Sequence, residues 1–181
     1  MKKALFIILS VALIVCGTVA GTLAWLTDKT GEVKNTFTVG DINIELKETT
    51  GETYKMVPGI ELEKNPTVTV KAGSEACWLF VKVDKSTNFD NFMTFGMADG
   101  WKPLDGVAGV YYREVGDKSA EGTTDESFAV ISGNKVTVKT EVTKEMLTAK
   151  DFANPTLTFT AYAIQSAGFT TAAAAWAEAS K

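Results

Sequence analysis

The chain has 181 residues, with 18 Lys+Arg, 22 Asp+Glu, no His, two Cys and a formal net charge of −4. At 45% apolar and 22% charged it has the balance of a globular chain, long enough for one domain plus a targeting segment. The acidic balance speaks against nucleic acid as a partner, and the lack of histidine excludes Ser-His-Asp triads, Cys-His pairs and His-based zinc motifs.

Lys2 and Lys3 precede an apolar run, Ala4 to Val15, broken only by Ser10, and no further charge appears until Asp28. A basic start, an apolar core and small residues at the exit predict a signal helix over residues 1–24. Of two small-x-small exits, Thr18-Val19-Ala20 and Thr22-Leu23-Ala24, the second is the expected cleavage point, between Ala24 and Trp25. Two alternatives stay open. Ala4 to Leu26 is just long enough to remain as a membrane anchor. Leu13-Ile14-Val15-Cys16-Gly17 resembles a lipobox, although Val15 stands where a small residue is normally required. A pilin-type signal is disfavoured, because no Glu sits five residues past a processing Gly. Cleavage after Ala24 removes two positive charges, which takes the net charge from −4 to −6. It also leaves Cys77 as the single cysteine, so no internal disulfide forms. Cys77, within Ala76-Cys77-Trp78-Leu79-Phe80-Val81, reads as a small buried hydrophobe.

Residues 25–40 read as an N-terminal arm containing a first strand, and 41–181 as the folded domain. Thr36-Phe37-Thr38-Val39 and Ile42 to Lys47 alternate with period two, as does Thr67 to Lys71 after Pro66. Trp78 to Asp84 carries Leu79, Val81 and Val83 on one face and Trp78 and Phe80 on the other, the pattern of a central strand covered on both sides. Short helical pieces are expected over Asn88 to Thr94, over Thr143 to Leu147, and in a last helix capped by Thr170 or Thr171. Val107 to Val115 is a further strand. Ser127 to Ile131 and Lys135 to Val142 flank Ser132-Gly133-Asn134, a favourable hairpin turn. Gly116 to Thr124 is a polar loop. Thr156 to Ile164 alternates over nine residues and is the clearest strand. Such strands with few short helices predict an all-β domain, a jelly-roll-like β-sandwich, with an immunoglobulin-like topology as the alternative.

Chemistry-bearing signals are sparse. No phosphate-binding glycine loop and no Ser-x-x-Lys pair is expected, and no cofactor or catalytic residue is assigned. The nearest carboxylate pairs are Glu61/Glu63, Asp84/Asp90, Asp99/Asp105 and Asp125/Glu126, most of them in or beside polar loops and read as solvated surface groups. A calcium site from Asp117, Glu121 and Asp125 lacks the spacing of a calcium loop, so no metal ligand is assigned. Trp78, Trp101, Tyr111, Tyr112 and Trp176 offer a carbohydrate platform or, with better support, core packing.

Gly21-Thr22-Leu23-Ala24-Trp25-Leu26-Thr27-Asp28, followed by Asn35-Thr36-Phe37-Thr38-Val39-Gly40-Asp41-Ile42, resembles the TasA/camelysin family of exported proteins from Gram-positive, spore-forming bacteria and their relatives. Val57-Pro58-Gly59 through Val70 and the late segment Thr160 to Gln165 with its Ala-rich tail also match; residues 85–150 do not take part. The resemblance implies a jelly roll, a dedicated signal peptidase, secretion to the wall or matrix, and assembly into biofilm fibres with its own copies and other matrix proteins. It also brings an alternative, a secreted metal-dependent protease of the camelysin kind. Without His that activity needs carboxylate-only zinc ligation, which is unusual. The expected function is thus a secreted structural protein and not an enzyme, in contact with a membrane only before cleavage.

The arm supplies a mechanism. Val33, Asn35, Phe37 and Val39 share one face of an extended segment, a donor strand for a sheet that is one strand short. Head-to-tail donation does not close and yields a filament. Pairing of the arm within its own domain is the competing arrangement. A surface adhesin using exposed aromatics is a third, weaker reading.

Overall fold

A computed structural model describes residues 41–51 and 54–181. The cleavage residues Ala24 and Trp25 lie outside them, as do the donor-strand residues Val33, Asn35, Phe37 and Val39. No helix among the described residues is long and apolar enough to cross a membrane.

In chain order the elements are β1 (Ile44–Lys47), β2 (Glu61–Glu63), β3 (Thr67–Val70), β4 (Cys77–Lys85), α1 (Phe89–Phe92), β5 (Met93–Thr94), β6 (Lys102–Pro103), β7 (Val110–Val115), β8 (Glu126–Ala129), a 3-10 turn at Ser132–Asn134, β9 (Lys135–Val138), α2 (Lys144–Leu147), β10 (Leu157–Gln165) and α3 (Ala172–Ala179). The fold is all-β, and the helices among the described residues are short. A first sheet has the order β1-β3-β8, a second β10-β4-β7-β6 and a third β2-β9-β5. Every pairing is antiparallel.

Apolar alternation explains the layering. β4 pairs over its whole length with β10, from Leu157↔Lys85 to Gln165↔Cys77, and on its other side with β7. Its inward residues Leu79, Val81 and Val83 pack with Val68 and Val70 of β3, so the first and second sheets face each other across one core. Its outward residues Trp78 and Phe80 meet Ala172 and Ala175, so α3 covers the opposite face of the second sheet. Burying side chains of this size contributes about 1.5–3 kcal/mol each. A further cluster of Phe89, Phe92, Met93, Ile131, Val136 and Val138 lies under the third sheet. The helices start as the sequence predicts: Thr143 Oγ1 accepts from Met146 N and Thr171 Oγ1 from Ala174 N.

Several expected elements are corrected. Ser132-Gly133-Asn134 does not close a hairpin, because β8 belongs to the first sheet and β9 to the third. Val130 is buried in the inter-sheet core and Ile131 under the third sheet, so adjacent side chains commit the chain to two cores. The left-handed residues Gly133 (φ 61°) and Asn134 (φ 55°) then redirect it. The strand expected from Val107 begins at Val110, after a turn through Gly109, and the strand expected to reach Val142 ends at Val138. There Lys139 N turns away to Phe92 O at 2.9 Å. The strand expected to reach Ile131 stops at Ala129, where the chain leaves the first sheet.

Candidate functional site

A protein that polymerises by strand addition needs an open edge, so the sheet edges are the first place to look. Natural edges are blunted by brevity, charge or proline. β6 is two residues, one of them Pro103; β1 carries Glu45 and Lys47, β8 carries Glu126, and β2 carries Glu61 and Glu63. β5 is two residues long. β10 has none of these devices. Its nine residues, Leu-Thr-Phe-Thr-Ala-Tyr-Ala-Ile-Gln, include no charge and no proline. Among the described residues β4 is its only strand neighbour. Leu157, Phe159, Ala161 and Ala163 lie against the inter-sheet core while Tyr162 and Ile164 lie against the α3 side. A strand laid along this edge would extend both apolar layers.

The first described residues arrive at one end of that edge. Glu75 N donates to Asp41 O at 3.0 Å, and the Glu75 carboxylate accepts from the amide of Gln165, the last residue of β10. Asp41 itself is thus tied through Glu75 to the end of β10. Ile42, Ile44 and Leu46, only partly buried, continue the apolar surface there.

Several of the paired carboxylates are held by lysines. Glu61 is held by Lys135 at 2.6 Å, Asp84 by Lys82 at 3.0 Å, Asp90 by Lys85 at 2.7 Å and Glu126 by Lys118 at 2.6 Å. Asp125 accepts from Ala72 N and Lys71 Nζ, and both bonds hold its carboxyl below the usual range. Asp117 accepts from Ser119, which also lowers its pKa. Among the described residues no three Cys, Asp or Glu side chains converge to hold a metal, and Asp117, Glu121 and Asp125 do not meet in one.

Ser132 and Lys135 do stand at Ser-x-x-Lys spacing, against the expectation that the chain lacks it. The geometry gives the pair no nucleophilic chemistry. Lys135 is exposed, and its bond to Glu61 raises its pKa, whereas a general base needs a depressed one.

No protein-family model, curated protein or solved structure matches the chain.

The aromatics pack into the cores, the better-supported of the two expectations. Trp101 is buried in the inter-sheet core with Tyr111 packed against that core, and Trp78 is buried in the α3-side cluster with Tyr112 and Trp176 packed against it. Split across two faces and largely covered, these rings present no common surface. Cys77 is buried as read, and burial pushes its thiol up to about 11. A cavity of about 450 Å³ opens beside the third sheet, with walls that include Met56, Leu62, Phe89 and Phe152. The one charged group in its wall, Lys64, is satisfied by Glu48 at 2.8 Å.

The sequence reading passed over Arg113. The signal was in plain view, since it is the only arginine in the chain.

Proposed function

We propose that this chain is a secreted structural protein of the cell surface or biofilm matrix. It has a jelly-roll-like domain of the TasA/camelysin type, delivered by a leader cut between Ala24 and Trp25. The freed arm, through Val33, Asn35, Phe37 and Val39, adds as a strand to the β10 edge of a neighbouring copy. The observation that carries this reading is β10 itself, nine residues long, uncharged and half-buried, with one strand neighbour among the described residues. Main-chain bonds along the edge give affinity and the alternating apolar positions fix register. At about 3.3 Å per residue, seven arm residues span about 23 Å and cover most of the strand.

The test is deletion of residues 25–38 downstream of the leader, with electron microscopy and sizing of the secreted product. The intact protein is expected to form filaments and the shortened one to stay monomeric. Unchanged filaments overturn arm donation. Chelator-sensitive casein cleavage by the pure protein would replace this reading with the protease alternative.

A further inference from the structure

All nine ion pairs among the described residues use a lysine. Arg113, the lone arginine, has no carboxylate within 4.0 Å among them. It lies on β7 opposite Leu79, on the face turned toward the first sheet. Its guanidinium carbon sits 3.8 Å from the ring centroid of Phe128 and 5.2 Å from that of Trp101. Trp101 is fixed in turn by its Nε1, which donates to Ala129 O at 2.8 Å. Gly100 makes room: its φ is +86°, and a Cβ there would come within 2.7 Å of Arg113 Nη2.

This setting holds the cation without neutralising it. The two ring faces attract a guanidinium but offer no oxygen acceptor. Arg113 Nε is buried and has no hydrogen-bond partner. Glu126, whose field reaches the guanidinium, is itself held by Lys118 at 2.6 Å. A lysine would supply the same charge. What arginine adds is stacking and a planar fork of donors that matches an oxyanion. The side chain as a whole is half-buried, and Nε is its one nitrogen that is fully buried without a partner.

We propose that Arg113 is an anion-binding residue whose Nη edge, framed by Trp101 and Phe128, takes a single carboxylate. A monoanion is chosen over phosphate because no second cation faces the site among the described residues. Lys118 is committed to Glu126, and Lys102 pairs with Tyr112 and so projects from the opposite face of the second sheet. The carboxylate comes either from a small free acid or from an acidic side chain of a second copy, in a chain with 22 acidic residues.

The experiment exploits the single arginine. In uniformly ¹⁵N-labelled secreted protein it gives one arginine Nε–H resonance, which reports the site without any need for filaments. Sodium acetate is titrated at constant ionic strength, with sodium chloride making up the difference. The expected result is a saturable shift of that resonance. A shift on concentrating the protein without acetate assigns the carboxylate to a second copy, and a shift with acetate alone assigns it to a free acid. In parallel, acetate should raise the thermal midpoint of the wild type but not of Arg113→Lys, which keeps the charge and loses the fork. A shift that sodium chloride reproduces, a stronger response to inorganic phosphate than to acetate, or an acetate effect retained in Arg113→Lys overturns the proposal. Should Arg113→Lys not fold, the wild-type titration still decides.

Discussion

Cys77 shows how one buried atom group sets a pH limit. Its thiol is surrounded by core residues, and burial alone raises its pKa from 9.0 to about 11. In the unfolded chain the thiol ionises at the lower value. Between the two the folded state holds more protons, so stability falls as pH rises through this window. One proton gives a slope of at most about 1.4 kcal/mol per pH unit. Urea unfolding from pH 8 to 11 should therefore show a steeper decline for the wild type than for Cys77→Ala. Equal slopes would mean that the thiol is solvated. Peptide-resolved mass spectrometry should likewise find Cys77 unmodified by a thiol reagent at pH 8 until denaturant is added. A backbone position makes the same point sterically. Gly109 has φ +75°, and a Cβ there would stand 2.7 Å from Val83 O. The turn cannot retreat, since Val83 N donates to Gly109 O at 2.7 Å. Gly109→Ala should cost about 2–3 kcal/mol in urea unfolding. Gly116→Ala, which meets no atom within 4 Å, should stay within about 0.5 kcal/mol of the wild type.

Elements were legible where one residue pattern answered to one surface. β4 and β10 read cleanly because both faces of β4 are buried and β10 alternates over its full length. α2 and α3 read cleanly because their caps are local chemistry. The hairpin around Gly133 failed for a physical reason: turn residues specify that a chain turns, not which strand it meets next. Val130 and Ile131, adjacent yet buried in different cores, made that choice through long-range packing. β2, β5 and β6, of two or three residues, carry no period to detect and exist only through their partners. Of the candidate site, the alternation of β10 could be read, whereas its having β4 as one strand neighbour among the described residues could not, because edge position is a property of topology; the proposed donor residues lie outside the described residues. The same logic gives α3 a test. Trp176 packs on Phe80 of β4 at 5.3 Å and on Tyr162 of β10 at 5.1 Å between ring centroids, bridging the two strands. Trp176→Ala should cost about 2–3 kcal/mol. Removing residues 170–181 should expose the outer face of the second sheet and give strong binding of a hydrophobic dye by the folded remainder. Unchanged dye binding would show that α3 does not protect that face.

At the scale of the whole molecule, charge decides when copies can meet. With the leader removed the chain carries −6, spread over a surface whose lysines are mostly paired with its own carboxylates. Approaching copies therefore repel at neutral pH, while the proposed attraction between an arm and the β10 edge would be short-ranged and largely uncharged. Salt screens the first and leaves the second, since the Debye length shrinks to about 8 Å at physiological ionic strength. Lowering the pH toward the pI, about 5.0 for the full sequence and lower once the two leader lysines are gone, reduces the repulsion by protonating carboxylates. Filament growth followed by light scattering should accelerate with sodium chloride and again only below about pH 5.5, where carboxylates begin to protonate in a chain without histidine, by about tenfold for each 1.4 kcal/mol of repulsion relieved. Growth that slows with salt would mean that opposite charges hold the copies together. A carboxylate on Arg113 would be the first contact to test, and Arg113→Lys should then weaken assembly as well.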